Sequence, residues 1–169
     1  VREIDLNIVG AQDVVGNTQV DSDQAGVLDI DTDNPSIVSI TPNLATIADA
    51  NVGTGTFTLE ILFDEDMDQA VDPTVSFPTA LQDPTGTITE AGSSWSDART
   101  YVARYNVVDI GETIADIDVR VTLGQDLVGN VQLQGDEADE FSIDTRNPTL
   151  GIALSDNVLS DADEPSAFT

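Results

Sequence analysis

The chain writes one phrase twice, DTDNP at Asp31–Pro35 and DTRNP at Asp144–Pro148, 113 positions apart. Slid against itself by that distance, REIDLNIVGAQDVVGNTQV (Arg2–Val20) falls on ADIDVRVTLGQDLVGNVQL (Ala115–Leu133) without a gap. Behind it, Asp23, Leu28, Ile30 and Asp31 meet Asp136, Phe141, Ile143 and Asp144. Beyond Pro148 the match weakens, yet LSDAD (Leu159–Asp163) still resembles IADAN (Ile47–Asn51). Self-similarity at a fixed period marks a tandem array, in which each repeat is one structural unit. Residues 36–147 therefore read as a complete unit. Residues 1–33 read as the C-terminal part of a preceding repeat, and 149–169 as the N-terminal part of a following one. The chain opens at Val1 with no visible signal peptide, so the expectation is a piece of something longer.

Inside the unit the hydrophobic period is two, the signature of half-buried strands. Phe57, Leu59 and Ile61 alternate with Thr58 and Glu60. Tyr101, Ala103, Tyr105 and Val107 share one face of another run, as do Ile117, Val119 and Val121 of a third. Shorter strands are expected at Ile37–Thr41, Thr74–Phe77, Gly86–Thr89 and Glu140–Ile143. Gly, Pro, Asn and Asp clusters separate them at sandwich spacing. No stretch has amphipathic helical spacing. The expected fold class is all-β: an immunoglobulin-like sandwich of about seven strands, in a tandem array.

Composition narrows the partners. Five arginines face 32 acidic residues, without Lys or His, for a formal net charge of −27. Nucleic acid and anionic membrane surfaces would be repelled, and no apolar run approaches the roughly 20 residues needed to cross a bilayer. The acids are mostly Asp, a residue of turns and of calcium loops. A solvated acidic surface suited to salty water is the other reading of the same charge. The absence of Cys and His removes thiolate and imidazole chemistry, so no Ser-His or Cys-His pair exists. Carboxylates are too abundant for their proximity to argue glycoside hydrolysis. No phosphate-cradling glycine motif is present, and the expectation is a protein that is not an enzyme. Trp95, Tyr101 and Tyr105 could stack on a sugar, but alternation places the tyrosines in the core and Trp95 over an edge.

Three phrases, FDEDMDQAVDPTVSF, GQDLVGN and FSIDTRNP, resemble the bacterial immunoglobulin-like repeats of large surface adhesins and biofilm-associated proteins. The likeness covers the complete unit and both fragments. It implies an extracellular, cell-surface spacer repeat that extends a distal binding region. Where the family more often has a small apolar residue before the closing proline, this chain has Asn34 and Asn147.

Each DT-x-NP lies between the last strand of one unit and the first of the next. Pro35 and Pro148 make that linker short and stiff. With immunoglobulin connectivity, the loop after the second strand (Asp64, Glu65, Asp66, Asp68) and the loop before the last strand (Asp126) sit at the unit's N-terminal pole. Asp49, Asn51, Asp109 and Glu112 sit at the opposite one. Calcium takes six to eight oxygens, more than one linker offers, so ligands must come from both sides of a junction. The candidate calcium ligands are Asp31, Asp33, Asn34, Asp64, Asp66, Asp68, Asp126, Asp144, Asn147, Asp49, Asn51, Asp109 and Glu112. FDEDMD begins like a helix–loop–helix calcium loop but has Gln69 and Val75 where the glycine and bidentate glutamate belong. The competing use of these Asp side chains is to bond their own backbone in turns. The expected partners are neighbouring repeats, with two alternatives: a carbohydrate- or surface-binding module, and a filament subunit assembled by strand exchange between copies.

Overall fold

The computed structural model describes residues 2–153. Two strands, β1 (Arg2–Ile8) and β2 (Ser22–Ile30), pair antiparallel as a hairpin of their own. Nine more follow: β3 (Ile37–Pro42), β4 (Thr46–Ala48), β5 (Gly53–Phe63), β6 (Thr74–Ser76) and β7 (Ile88–Glu90). The last four are β8 (Ser94–Trp95), β9 (Thr100–Val107), β10 (Thr113–Thr122) and β11 (Gly135–Asp144). Only two single-turn 3₁₀ segments, Asp49–Asn51 and Ala80–Gln82, interrupt them among the described residues. Among the described residues no helix is long and apolar enough to cross a membrane.

The nine strands form two sheets, ordered β3-β5-β9-β7 and β4-β11-β10-β6, with β8 continuing the β7 edge of β9. That is the immunoglobulin order, with the first strand split between the sheets. The split falls at Asn43–Ala45 and has a local cause. The Asn43 side chain accepts from the Thr58 N–H (2.9 Å) and donates to the Thr56 carbonyl (3.0 Å), turning the chain out of one sheet. Beyond the corner, β4 pairs parallel with β11 through Thr46–Ser142, Ile47–Ile143 and Ala48–Asp144.

All seven strands expected from the alternating pattern are present, and the alternation fills the space between the sheets. Phe57, Leu59, Ile61 and Phe63 point inward from β5, Tyr101, Ala103, Tyr105 and Val107 from β9, and Ile117, Val119 and Val121 from β10. Burying each large aliphatic or aromatic chain stabilises the fold by about 1.5–3 kcal/mol. Phe57 joins the layers, its ring 4.6 Å from Phe141 across the core. Near the N-terminal pole the sheets approach closely at Gly135, where a Cβ would lie 2.5 Å from Ile37 Cδ1.

The hairpin repeats most of β10 and β11. Displaced by 113, β1 falls within β10 and β2 within β11, and the isolated bridge Gln12–Thr18 falls on Gln125–Val131. Gly26 and its counterpart Asp139 both take left-handed backbone, at φ 64° and 60°. Each donates its N–H to the corresponding carboxylate, Asp5 at 3.0 Å and Asp118 at 3.2 Å. Gly10 (φ 78°) has as its counterpart the exposed Leu123, held at φ 68°. A Cβ in this region costs about 1–2 kcal/mol, and glycine relieves part of that at some cost in chain entropy. Leu123→Gly should therefore raise the stability of the sandwich by up to about 1 kcal/mol, read as a higher urea midpoint at unchanged slope.

Candidate acidic junction

The linker between hairpin and sandwich is fixed by side chains from both repeated phrases. Asn34 Nδ2 donates to the Val131 carbonyl (2.6 Å), Asn130 Nδ2 to the Asp31 carbonyl (3.4 Å), and the Leu133 N–H to the Pro35 carbonyl (2.9 Å). Pro35 itself is buried. Thus DT-x-NP before the unit is held by the QD-x-VGN loop of that same unit. Just beyond, Asp64 accepts from the Ser36 N–H (2.8 Å) and hydroxyl (2.6 Å), latching the start of β3 to the end of β5.

The QD-x-VGN loop owes its shape to one carboxylate. Asp126 Oδ1 accepts from the N–H groups of Val128 (2.9 Å), Gly129 (2.7 Å) and Asn130 (2.8 Å), and Oδ2 accepts from Asn130 Nδ2 (2.7 Å). The residue is 3 % exposed. Burial works against its ionisation, but these hydrogen bonds outweigh it and hold the carboxyl below the ordinary aspartate range. Asp13 in the hairpin does the same for Val15 and Asn17.

Asp126 also belongs to a trio. Carboxylate oxygens of Asp31, Glu65 and Asp126 lie within 4.8 Å of one another. They come from the linker, the β5–β6 loop and the β10–β11 loop, the three segments expected at the N-terminal pole. Partial burial raises the Glu65 carboxyl above its usual value, and the charges of Asp126, Asp31, Asp64 and Asp33 raise it further. Two unit charges 4–5 Å apart repel by about 1 kcal/mol even in water. Three hard oxygen donors without nitrogen or sulfur suit calcium or magnesium rather than zinc. Asp31, Glu65 and Asp126 could hold such a cation, with water filling the remaining positions.

The other candidate ligands are placed differently. Asp66 is paired with Arg99 Nε at 2.6 Å, Asp68 caps the Ala70 N–H (2.9 Å), and Asp64 is occupied by Ser36. Arg99 also donates to the Asp64 carbonyl (3.1 Å). Asp33 is exposed, and Asn34 uses its amide as a donor. At the opposite pole, Asn51 Oδ1 accepts from the Ala48 N–H (2.8 Å), Asp109 from the Gly111 N–H (2.9 Å) and Glu112 from the Thr87 hydroxyl (3.2 Å). Asp144 accepts from the Thr113 hydroxyl (3.2 Å) and the Arg146 N–H (3.3 Å), while Asp49 and Asn147 are exposed. No second carboxylate trio forms among the described residues. Residues 154–169, which carry most of the expected following repeat, lie outside them. Glu65, which is not in the expected ligand set, is the acid of its loop that lies with Asp31 and Asp126. Its signal was alternation: β5 ends with Phe63 inward and Asp64 outward, leaving Glu65 on the side that faces the linker.

Apart from the junction, an open cleft of about 960 Å³ lies between the β6 and β7 edges, with Tyr101 and Tyr105 on its floor and Asp72 and Glu90 among its lining. Burial, with Glu90 nearby, pushes the Tyr105 phenol well up, so it stays neutral. Both tyrosines belong to the core, at 4 % and 7 % exposure.

Comparison with protein-family models, curated proteins and solved structures found no match for this chain.

The raised carboxyl of Glu65 has a defined sign. A glutamate that binds its proton more tightly folded than unfolded loses stability as pH climbs through its folded value. In chelator, wild-type stability should decline over that range, above the ordinary glutamate value. Glu65→Gln should lack the decline and be more stable at neutral pH by about 1 kcal/mol or less after screening. Urea midpoints of both proteins across acid to neutral pH provide the check.

Proposed function

We propose that this chain is a segment of a tandem array of immunoglobulin-like units, working as a spacer in a long extracellular adhesin or surface filament. In this reading a divalent cation, calcium first, stiffens each junction between units. The observation that carries it is the convergence of Asp31, Glu65 and Asp126 from a linker and two loops onto one point. Without a cation their repulsion opposes the linker geometry that the Asn34 and Asn130 amides favour; with one, the same charges become a clamp. The repeat supports the reading too, because Asp144 stands to the next junction as Asp31 stands to this one. The chemistry asked of the unit is mechanical. Its residues keep a fixed distance and direction between neighbours.

The buried positions of Tyr101 and Tyr105 weigh against a carbohydrate-binding face built on them. Salt tolerance alone would account for the overall charge but not for three carboxylates meeting at the linker.

Calcium should raise the melting temperature and reduce hinge motion between hairpin and sandwich. Binding to the folded state alone stabilises it by about 2.7 kcal/mol at a hundredfold excess over Kd. A calcium titration followed by calorimetry and small-angle scattering should show both effects, reversed by EDTA and lost in Glu65→Gln. Equal stabilisation by sodium chloride at matched ionic strength would overturn the calcium reading and leave salt adaptation.

A further inference from the structure

The hairpin β1–β2 has an apolar face that nothing among the described residues covers. Ile4, Leu6 and Ile8 are 39 %, 46 % and 50 % exposed, whereas their counterparts Ile117, Val119 and Val121 are fully buried. Leu28 and Ile30 are bare as well, and their counterparts Phe141 and Ile143 are core. From Ile4–Leu28 to Ile8–Ser22 the register matches Ile117–Phe141 to Val121–Gly135, with the same irregularity after Ile4 and Ile117 and the same loop bridge, so this face has the shape of one half of a sandwich core. Only the open end differs, where Ile30 pairs with Arg2 but Ile143 with Ile114.

We infer that the bare face of β1–β2 packs against a strand set of the β3–β9 type, joined to the amino end of the hairpin, to complete a second sandwich. This deepens the tandem reading by naming the surface and its occupant, and three observations select that occupant. First, the face in the complete unit is covered by the β3-β5-β9-β7 sheet, as in the Phe57–Phe141 contact. Second, the tail of another copy cannot replace that sheet. With a two-residue slip that sets Phe168-Thr169 on Phe57-Thr58, residues 149–169 correspond to 36–58 and the hairpin with its linker to 115–147, so 59–114 has no counterpart in either fragment. The missing stretch holds Leu59, Ile61, Tyr101 and Tyr105. Third, a second copy offers no free receptor, because its own β10 and β11 already cover the matching sheet. Completion by tail exchange between copies is thereby disfavoured. The Asp13 loop, already folded like the Asp126 loop, stands ready to hold the linker in front of that completed unit as Asn130 holds Asp31.

The test compares the 169-residue chain with an extended one in which residues 36–114 are joined directly to Arg2, recreating the natural step from 114 to 115. Amide exchange is followed in both, in EDTA at fixed ionic strength, since a packed core needs no ion. A lone two-stranded hairpin is marginal in water. The β1–β2 amides of the 169-residue chain should therefore exchange at least about 100-fold faster than those of β10–β11. In the extended chain they should slow to match β10–β11, and the added strands should fold with them. Leu6→Asp should leave the 169-residue chain unchanged and abolish the new protection in the extended one. Added strands that stay unfolded, or a hairpin that stays unprotected beside them, would overturn the inference. So would concentration-dependent protection of the hairpin in the 169-residue chain, which would mean that a second copy covers the face. Because calcium is absent throughout, such a failure leaves the cation reading intact, and failure of the calcium titration leaves this one intact.

Discussion

One buried carboxylate organises the junction. Asp126 collects three backbone N–H groups and a side-chain amide, and so fixes the turn from which Asn130 and the Val131 carbonyl reach the linker. A charge so fully hydrogen-bonded is cheap to keep ionised, and it adds its negative potential to the point where Asp31 and Glu65 also arrive. Shape and charge at the pole therefore come from the same side chain. Removing it would loosen the loop and the linker together.

Acidity elsewhere in the unit is spent differently. Asp66 against Arg99 and Asp136 against Arg120 form exposed ion pairs, of the kind worth little in stability. Asp64, Asp83, Asp97 and Asp109 each accept backbone N–H groups in turns or latches. Such carboxylates serve as local structure, which explains how a chain of net charge −27 folds with few cations. Asp31, Glu65 and Asp126 differ in that they meet at one point from a linker and two loops.

The sandwich was legible because its strands alternate cleanly and its core is aliphatic. Parity alone assigned Phe57, Tyr101 and Val119 to the interior. Strands β4 and β8 were not foreseen, since runs of three and two residues carry no period. They exist because Asn43 turns the chain between sheets and because Trp95 packs at 5.2 Å on Tyr101. At the junction, topology told which loops share a pole, but not which acid in each loop turns toward the others. That choice lies in single backbone turns: Ser36 takes Asp64, Arg99 takes Asp66, and Glu65 is left facing inward. Asn34, read as a ligand, is a donor to Val131.

The parallel pairing of β4 with β11 carries a mechanical meaning. The chain enters the unit at one pole and leaves at the other, so in the array proposed above tension would drag β4 and β11 in opposite directions along their common axis. Their hydrogen bonds are then loaded side by side and must yield together, instead of peeling apart one after another. A sandwich wired in this manner resists stretching at its first weak point, the short parallel seam, and shields the larger core behind it.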